Sequence, residues 1–126
     1  MIVKHALVIG LAGFVGAILR YAVTWIVTAA APRGFPYGTL TVNLTGCFFL
    51  GILFTLLRDR AVSDVLRLAV GVGFLGAYTT FSTFAYEVYD LGRVRPAAAL
   101  TYASASLLVG LAAVWAGIQV VHFMER

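Results

Sequence analysis

Four long apolar stretches, separated by short turns that carry most of the charge, take up nearly the whole chain. By residue number they run over about 5–31, 38–57, 65–90 and 97–121. A helix that crosses the hydrocarbon core of a bilayer uses about 20 residues, so the 126 residues of the chain hold four spans, short loops and little else. The expected architecture is an all-α membrane protein with four transmembrane helices, one membrane domain over 1–126, multi-pass in the cell (inner) membrane. With 62% hydrophobic and 11% charged residues, the composition excludes a soluble catalytic domain, and no enzyme activity is expected. The basic residues are scattered, which gives no nucleic-acid footprint. A single cysteine, Cys47, builds neither a disulfide framework nor a cysteine metal site within one chain.

The third stretch is unlike a plain anchor. From residue 71 to 90 it reads G-V-G-F-L-G-A-Y-T-T-F-S-T-F-A-Y-E-V-Y-D. Gly71, Gly73 and Gly76 weaken the helix ahead of a run in which Thr79, Thr80, Ser82 and Thr83 interleave with Phe81 and Phe84. Backbone that leaves the helix inside a bilayer is tolerated only where it is buried in protein or lines a wet cavity. The expectation is therefore a third helix broken near the membrane centre. The span is long enough for this, because residues 65–90 reach roughly 39 Å at the helical rise against a core of about 30 Å. If the chain is helical after the break, Thr80, Thr83 and Glu87 fall on one stripe, with Phe81, Phe84 and Val88 on the next. The bland alternative is a helix-packing face whose hydroxyls bond back to their own helix.

The other spans carry isolated polar groups. Arg20 lies near the middle of the first, where an unpaired guanidinium costs several kcal/mol, so it must face a partner, carbonyl groups or water, or snorkel to an interface. Gly10, Ala12, Gly13, Gly16 and Ala17 give that span a small-residue surface suited to close contact. In the second, Thr39, Asn43 and Cys47 share a face. The Asn43 amide either bonds a neighbouring helix or faces a water-filled path. Ser63 or Asp64 is placed to cap the third span, and Pro96 suits the first turn of the fourth. There Tyr102, Ser106 and Gly110 repeat every four residues, as a packing seam or a pore lining.

Orientation is weakly specified. Lys4, Arg58, Arg60, Arg67 and Arg126 share one side, and Arg33, Arg93 and Arg95 the other, a bias small enough for insertion both ways. Four slender helices with glycine-rich faces do not readily enclose a pore alone, which favours a pathway built between subunits.

Three segments carry a family resemblance over essentially the whole chain: G-A-I-L-R ending at Arg20, P-Y-G-T-L-T-V-N-L from Pro36 to Leu44, and G-F-L-G-A-Y-T-T-F-S-T-F-A-Y-E from Gly73 to Glu87. The sequence resembles the small bacterial fluoride channels, the Fluc or CrcB family. The resemblance implies an antiparallel, dual-topology homodimer with two pores that exports cytoplasmic fluoride passively. It makes Phe81 and Phe84 pore phenylalanines whose ring edges face the ion, Asn43 the pore asparagine and Arg20 the vestibule arginine. Thr80, Thr83, Glu87, Tyr102 and Ser106 become a polar track. It also implies a structural Na⁺ at the dimer interface, held by the backbone carbonyls of Gly76 and Thr79 from both subunits. Gly110 departs from the pattern, since related chains often carry Ser or Thr there.

The chemistry is consistent with those residue types. Fluoride holds its water tightly, so a path must supply replacement hydrogen bonds without trapping the ion, and hydroxyls with one amide suit that task better than a row of cations. The positive edge of an aromatic ring is compatible with an anion. Two other readings stay open: a proton-coupled transporter of the small multidrug type, which would want an acidic residue where the first span has Arg20, and a noncatalytic membrane assembly subunit.

Overall fold

The computed structural model describes residues 2–59 and 63–126. Among the described residues there is no strand, and four helical spans are long and apolar enough to cross a membrane. The protein is an all-α, multi-pass membrane protein. Residues 60–62 of the expected loop, Arg60 included, lie outside the described residues.

Helix α1, Ile2–Ala30, ends ahead of Pro32-Arg33-Gly34. Gly34 takes φ +94, a backbone region that only glycine enters without strain, and so turns the chain into α2, Tyr37–Asp59. The third span opens at α3, Asp64–Arg67, where the Ser63 side chain accepts from the Leu66 N–H. That is the capping role expected of Ser63 or Asp64. It continues as a π-helical stretch, Leu68–Leu75, then a single turn α4, Gly76–Tyr78. The helix then stops. Thr79 (ψ 160) and Thr80 (φ −148) are extended, and helix resumes as α5, Phe81–Val94. The expected break is present. Pro96 starts α6, Pro96–Met124, whose first turn needs no N–H from it.

The interruption changes what the third span packs against. Ahead of it, the π-helical stretch and α4 lie on α1; beyond it, α5 lies on α6. Helix α2 touches both halves of the bundle and has its broadest contact with α6. Two close approaches make this possible. A Cβ at Gly16 would strike the Phe74 carbonyl, and one at Gly73 would stand 2.7 Å from the Ile9 oxygen. Between α2 and α6, a Cβ at Gly51 would strike the Val114 carbonyl and one at Gly117 the Phe48 carbonyl. With little hydrophobic drive between helices in lipid, contact at this range supplies the dispersion that holds them together. Gly10, placed on the same small-residue surface by its spacing, faces open space.

Val42, Leu57, Leu75, Tyr78, Ala99, Tyr102 and Val121 form the buried core, joined by Thr39 and Thr55. Large apolar side chains such as Leu7, Leu11, Phe14, Trp25, Leu108 and Trp115 are exposed, as a lipid-solvated surface requires.

Candidate functional site: the interrupted helix and its polar partners

The four carbonyls at the end of an α-helix have no partner four residues on. Here that end lies mid-span, at Gly76 to Thr79, and α2 and α1 supply groups that meet it. Asn43 on α2 grips Thr80 from both sides. Its Oδ1 accepts from the Thr80 N–H at 2.8 Å and its Nδ2 donates to the Thr80 carbonyl at 3.0 Å. Of the two readings left open for Asn43, bonding to a neighbouring element is the one observed, although the element is extended backbone instead of helix. One Nδ2 hydrogen is left over, because the amide has two.

Arg20 on α1 donates to the Thr79 carbonyl at 3.3 Å. The guanidinium meets a freed carbonyl instead of snorkelling, and its charge sits beside the break. Thr79 turns its own hydroxyl back to the Leu75 carbonyl at 3.0 Å.

Thr80 departs from the helical stripe expected to join it to Thr83 and Glu87. It is the N-cap of α5, with its Oγ1 accepting from the Thr83 N–H at 3.3 Å and donating to Thr83 Oγ1 at 3.1 Å. The two hydroxyls still meet, through capping geometry instead of helix periodicity. The physical reason is local: a Thr at the first residue before a helix satisfies an orphan N–H that helical spacing would leave to its own carbonyl ladder.

Glu87 lies further along α5, half-buried. Thr39 donates to its Oε1 at 2.7 Å and Tyr102 to its Oε2 at 2.7 Å. Both donors are buried, Tyr102 completely. Thr39 therefore belongs with this group, although only its shared face with Asn43 hinted at it. Tyr102 also anchors an aromatic row: its ring stands edge-on to Phe84 at 5.2 Å and to Phe35 at 5.4 Å, and Phe84 is 5.8 Å from Phe81. Phe35 had no sequence signal beyond its place in a turn. Phe81 is 79% exposed in the single chain, so whatever covers that ring comes from outside it.

One turn beyond Tyr102, Ser106 Oγ is buried and has no hydrogen-bond partner among the described residues. Such a group costs about 1–3 kcal/mol if left dry. Gly110 follows on the same face, against Cys47 and Leu44. A cavity of about 290 Å³ opens beside the break, lined by Asn43, Gly46, Cys47, Gly76, Thr80 and Phe81 among others. The structure thus brings Arg20, Asn43, Thr79 and Thr80 together at the break, and Glu87, Tyr102 and Phe84 in a second cluster.

A family profile described as "CrcB-like protein, Camphor Resistance (CrcB)" matches residues 7–118. The chain belongs to the CrcB family. Its CrcB match takes in all four spans. Similar proteins include the "Fluoride-specific ion channel FluC" of Acidobacterium capsulatum, 44% identical over 89% of this chain and 91% of that one. The "Fluoride-specific ion channel FluC 2" of Geobacillus kaustophilus is 47% identical over 88% of each chain. The protein of the first name from Geobacter metallireducens is 45% identical over 87% of this chain and 90% of its own. These relatives are named as channels, which are not enzymes.

Proposed function

We propose that this CrcB chain is a fluoride-selective channel that lets cytoplasmic fluoride leave passively, through two pores in an antiparallel homodimer. The observation that carries the reading is the extended Thr79-Thr80 pair in mid-span, clamped by Asn43 and faced by Arg20, in a chain whose relatives are named for fluoride. A membrane protein that merely spans or packs has no use for such a break, whereas a path that strips water from an anion needs donors at that depth.

The residues divide the work. Arg20 supplies positive potential near the break, and its bond to the Thr79 carbonyl keeps it from closing on the ion as a trap. Among the described residues of the track, the second Asn43 N–H, the Thr83 hydroxyl and the Ser106 hydroxyl are donors that meet no acceptor within the chain. Along the track, Thr39 and Tyr102 give their protons to Glu87, so these two hydroxyls hold the carboxylate in a fixed position. Phe81 and Phe84 present ring edges, whose partial positive charge suits an anion without binding it firmly. Because Phe81 is so exposed, a second copy of the chain is proposed to complete the wall.

The sodium ion proposed for the dimer interface fits the groups present. Gly76 and Thr79 belong to the helix end whose carbonyls lose their helical partners; the Thr79 oxygen accepts one bond from Arg20 and keeps its second lone pair, carbonyl oxygens are of the kind hard cations take, and a Cβ at Gly76 would meet only the Gly71 oxygen, at 3.6 Å. Two carbonyls per chain are too few for one cation, so the partner copy must supply the rest. When bound, the ion supplies charge that offsets the burial of those carbonyls. The small multidrug-type reading loses its footing, since the first span offers Arg20 tied to a carbonyl and no acid. Vesicles loaded with KF and given a potassium ionophore test the reading: rapid fluoride release with chloride retained is expected, and fluoride retention would reject it.

A further inference from the structure

Three successive residues at the break, Tyr78, Thr79 and Thr80, are each met by a different residue of α2. Asn43 takes Thr80, as described. Gly46 takes Thr79, whose methyl occupies the space a Cβ would need. Thr45 takes Tyr78, with 2.9 Å between the two hydroxyl oxygens.

The direction of that last bond follows from proton counting. A threonine hydroxyl has one hydrogen, and Thr45 Oγ1 lies 2.7 Å from the Thr41 carbonyl and 3.3 Å from that of Val42. Its proton goes to the backbone of its own helix, so Tyr78 is the donor and Thr45 the acceptor. Tyr78 is buried, its ring parallel to that of Phe74 at 6.1 Å, and it is the last helical residue before the extension. Its ring passes Gly46, with Cδ1 3.5 Å from the position of a Cβ there, to reach Thr45 on the adjoining face of α2.

We propose that Thr45 and Tyr78 are a positioning pair for ion conduction. Packing of the Tyr78 ring sets how far the last turn of α4 is rotated about its axis, and the Thr45 oxygen, by accepting the buried hydroxyl's proton, lets the ring stay in that place. That rotation aims the Thr79 carbonyl at Arg20 and delivers Thr80 to Asn43. Neither residue touches the ion; both act through the segment that does. The proposal rests on the fluoride-channel reading.

The donor assignment makes the two ends unequal. Thr45→Val leaves a buried Tyr78 O–H with no acceptor, and the ring must turn to find one. Tyr78→Phe leaves Thr45 with its backbone acceptor and little to lose. Unitary fluoride currents in planar bilayers provide the readout, because only folded channels contribute and a simple loss of stability would not change their size. Thr45→Val is expected to lower the unitary current by about fivefold or more, while Thr45→Ser and Tyr78→Phe stay within about twofold of wild type. The double variant Thr45→Val/Tyr78→Phe is expected to recover, since the stranded hydroxyl is gone. Wild-type current from Thr45→Val, or a double variant as impaired as Thr45→Val, overturns the pair. Should Thr45→Val give no folded protein, the double variant decides: restored folding and current support the pair, and continued failure to fold overturns it. A wild-type protein that carries no fluoride current removes the channel reading itself, a separate result from normal wild-type current with an unaffected variant.

Discussion

Replacing Asn43 with alanine should cost both stability and conduction, and the size of the first effect follows from two bonds. The amide satisfies the N–H and the carbonyl of Thr80, at 2.8 and 3.0 Å. Truncation puts a methyl group there and frees both backbone groups at mid-membrane. An unpaired buried polar group costs about 1–3 kcal/mol. The adjoining cavity of about 290 Å³ can admit water to part of the gap, which places the expected loss at about 2–4 kcal/mol, the lower part of the summed range. Asn43→Asp is the sharper control. It can still accept from the Thr80 N–H, but its second oxygen opposes the Thr80 carbonyl and adds a negative charge to an anion route. Unfolding in mixed micelles gives the free energy, and fluoride efflux from vesicles gives the function. Asn43→Ala should lose both, and Asn43→Asp should lose efflux whatever its stability. An Asn43→Ala protein within about 0.5 kcal/mol of wild type, with undiminished efflux, would refute the clamp.

Gly51→Val should prevent close packing of α2 on α6, because its Cβ would strike the Val114 carbonyl; loss of folded protein on size-exclusion chromatography is expected, against normal behaviour for Gly10→Ala, which faces open space. Gly110→Ser should fold and conduct within about twofold of wild type, since a Cβ there meets Cys47 Sγ at an ordinary 3.6 Å and the hydroxyl faces the track; the same two assays check it.

The four spans and the weakness of the third were legible because lipid makes a strict demand: apolar length sets a span, and glycines followed by hydroxyls mark where it fails. Arg20 and Asn43 announced themselves as groups that need partners at depth. Which partners they have was not legible, since Arg20 to Thr79 and Asn43 to Thr80 join residues far apart in sequence. Thr80 shows the limit of periodicity, for its stripe with Thr83 assumed a helix that begins one residue later. Tyr78 and Thr45 went unremarked although a tyrosine in mid-span always needs somewhere to send its proton. The π-helical stretch over Leu68–Leu75 has no sequence mark beyond its glycines, because it answers to the contact with α1.

The central claim is that the residues flanking the interruption border a fluoride route. Phe81 tests it most directly: its ring is exposed in the single chain, so the substitution Phe81→Ile leaves the fold of that chain intact and alters the proposed wall alone. Fluoride efflux from vesicles holding the variant, with assembly checked by cross-linking, should fall to the rate of protein-free vesicles while the cross-linked species stays unchanged. Efflux at the wild-type rate from correctly assembled Phe81→Ile protein would contradict the account.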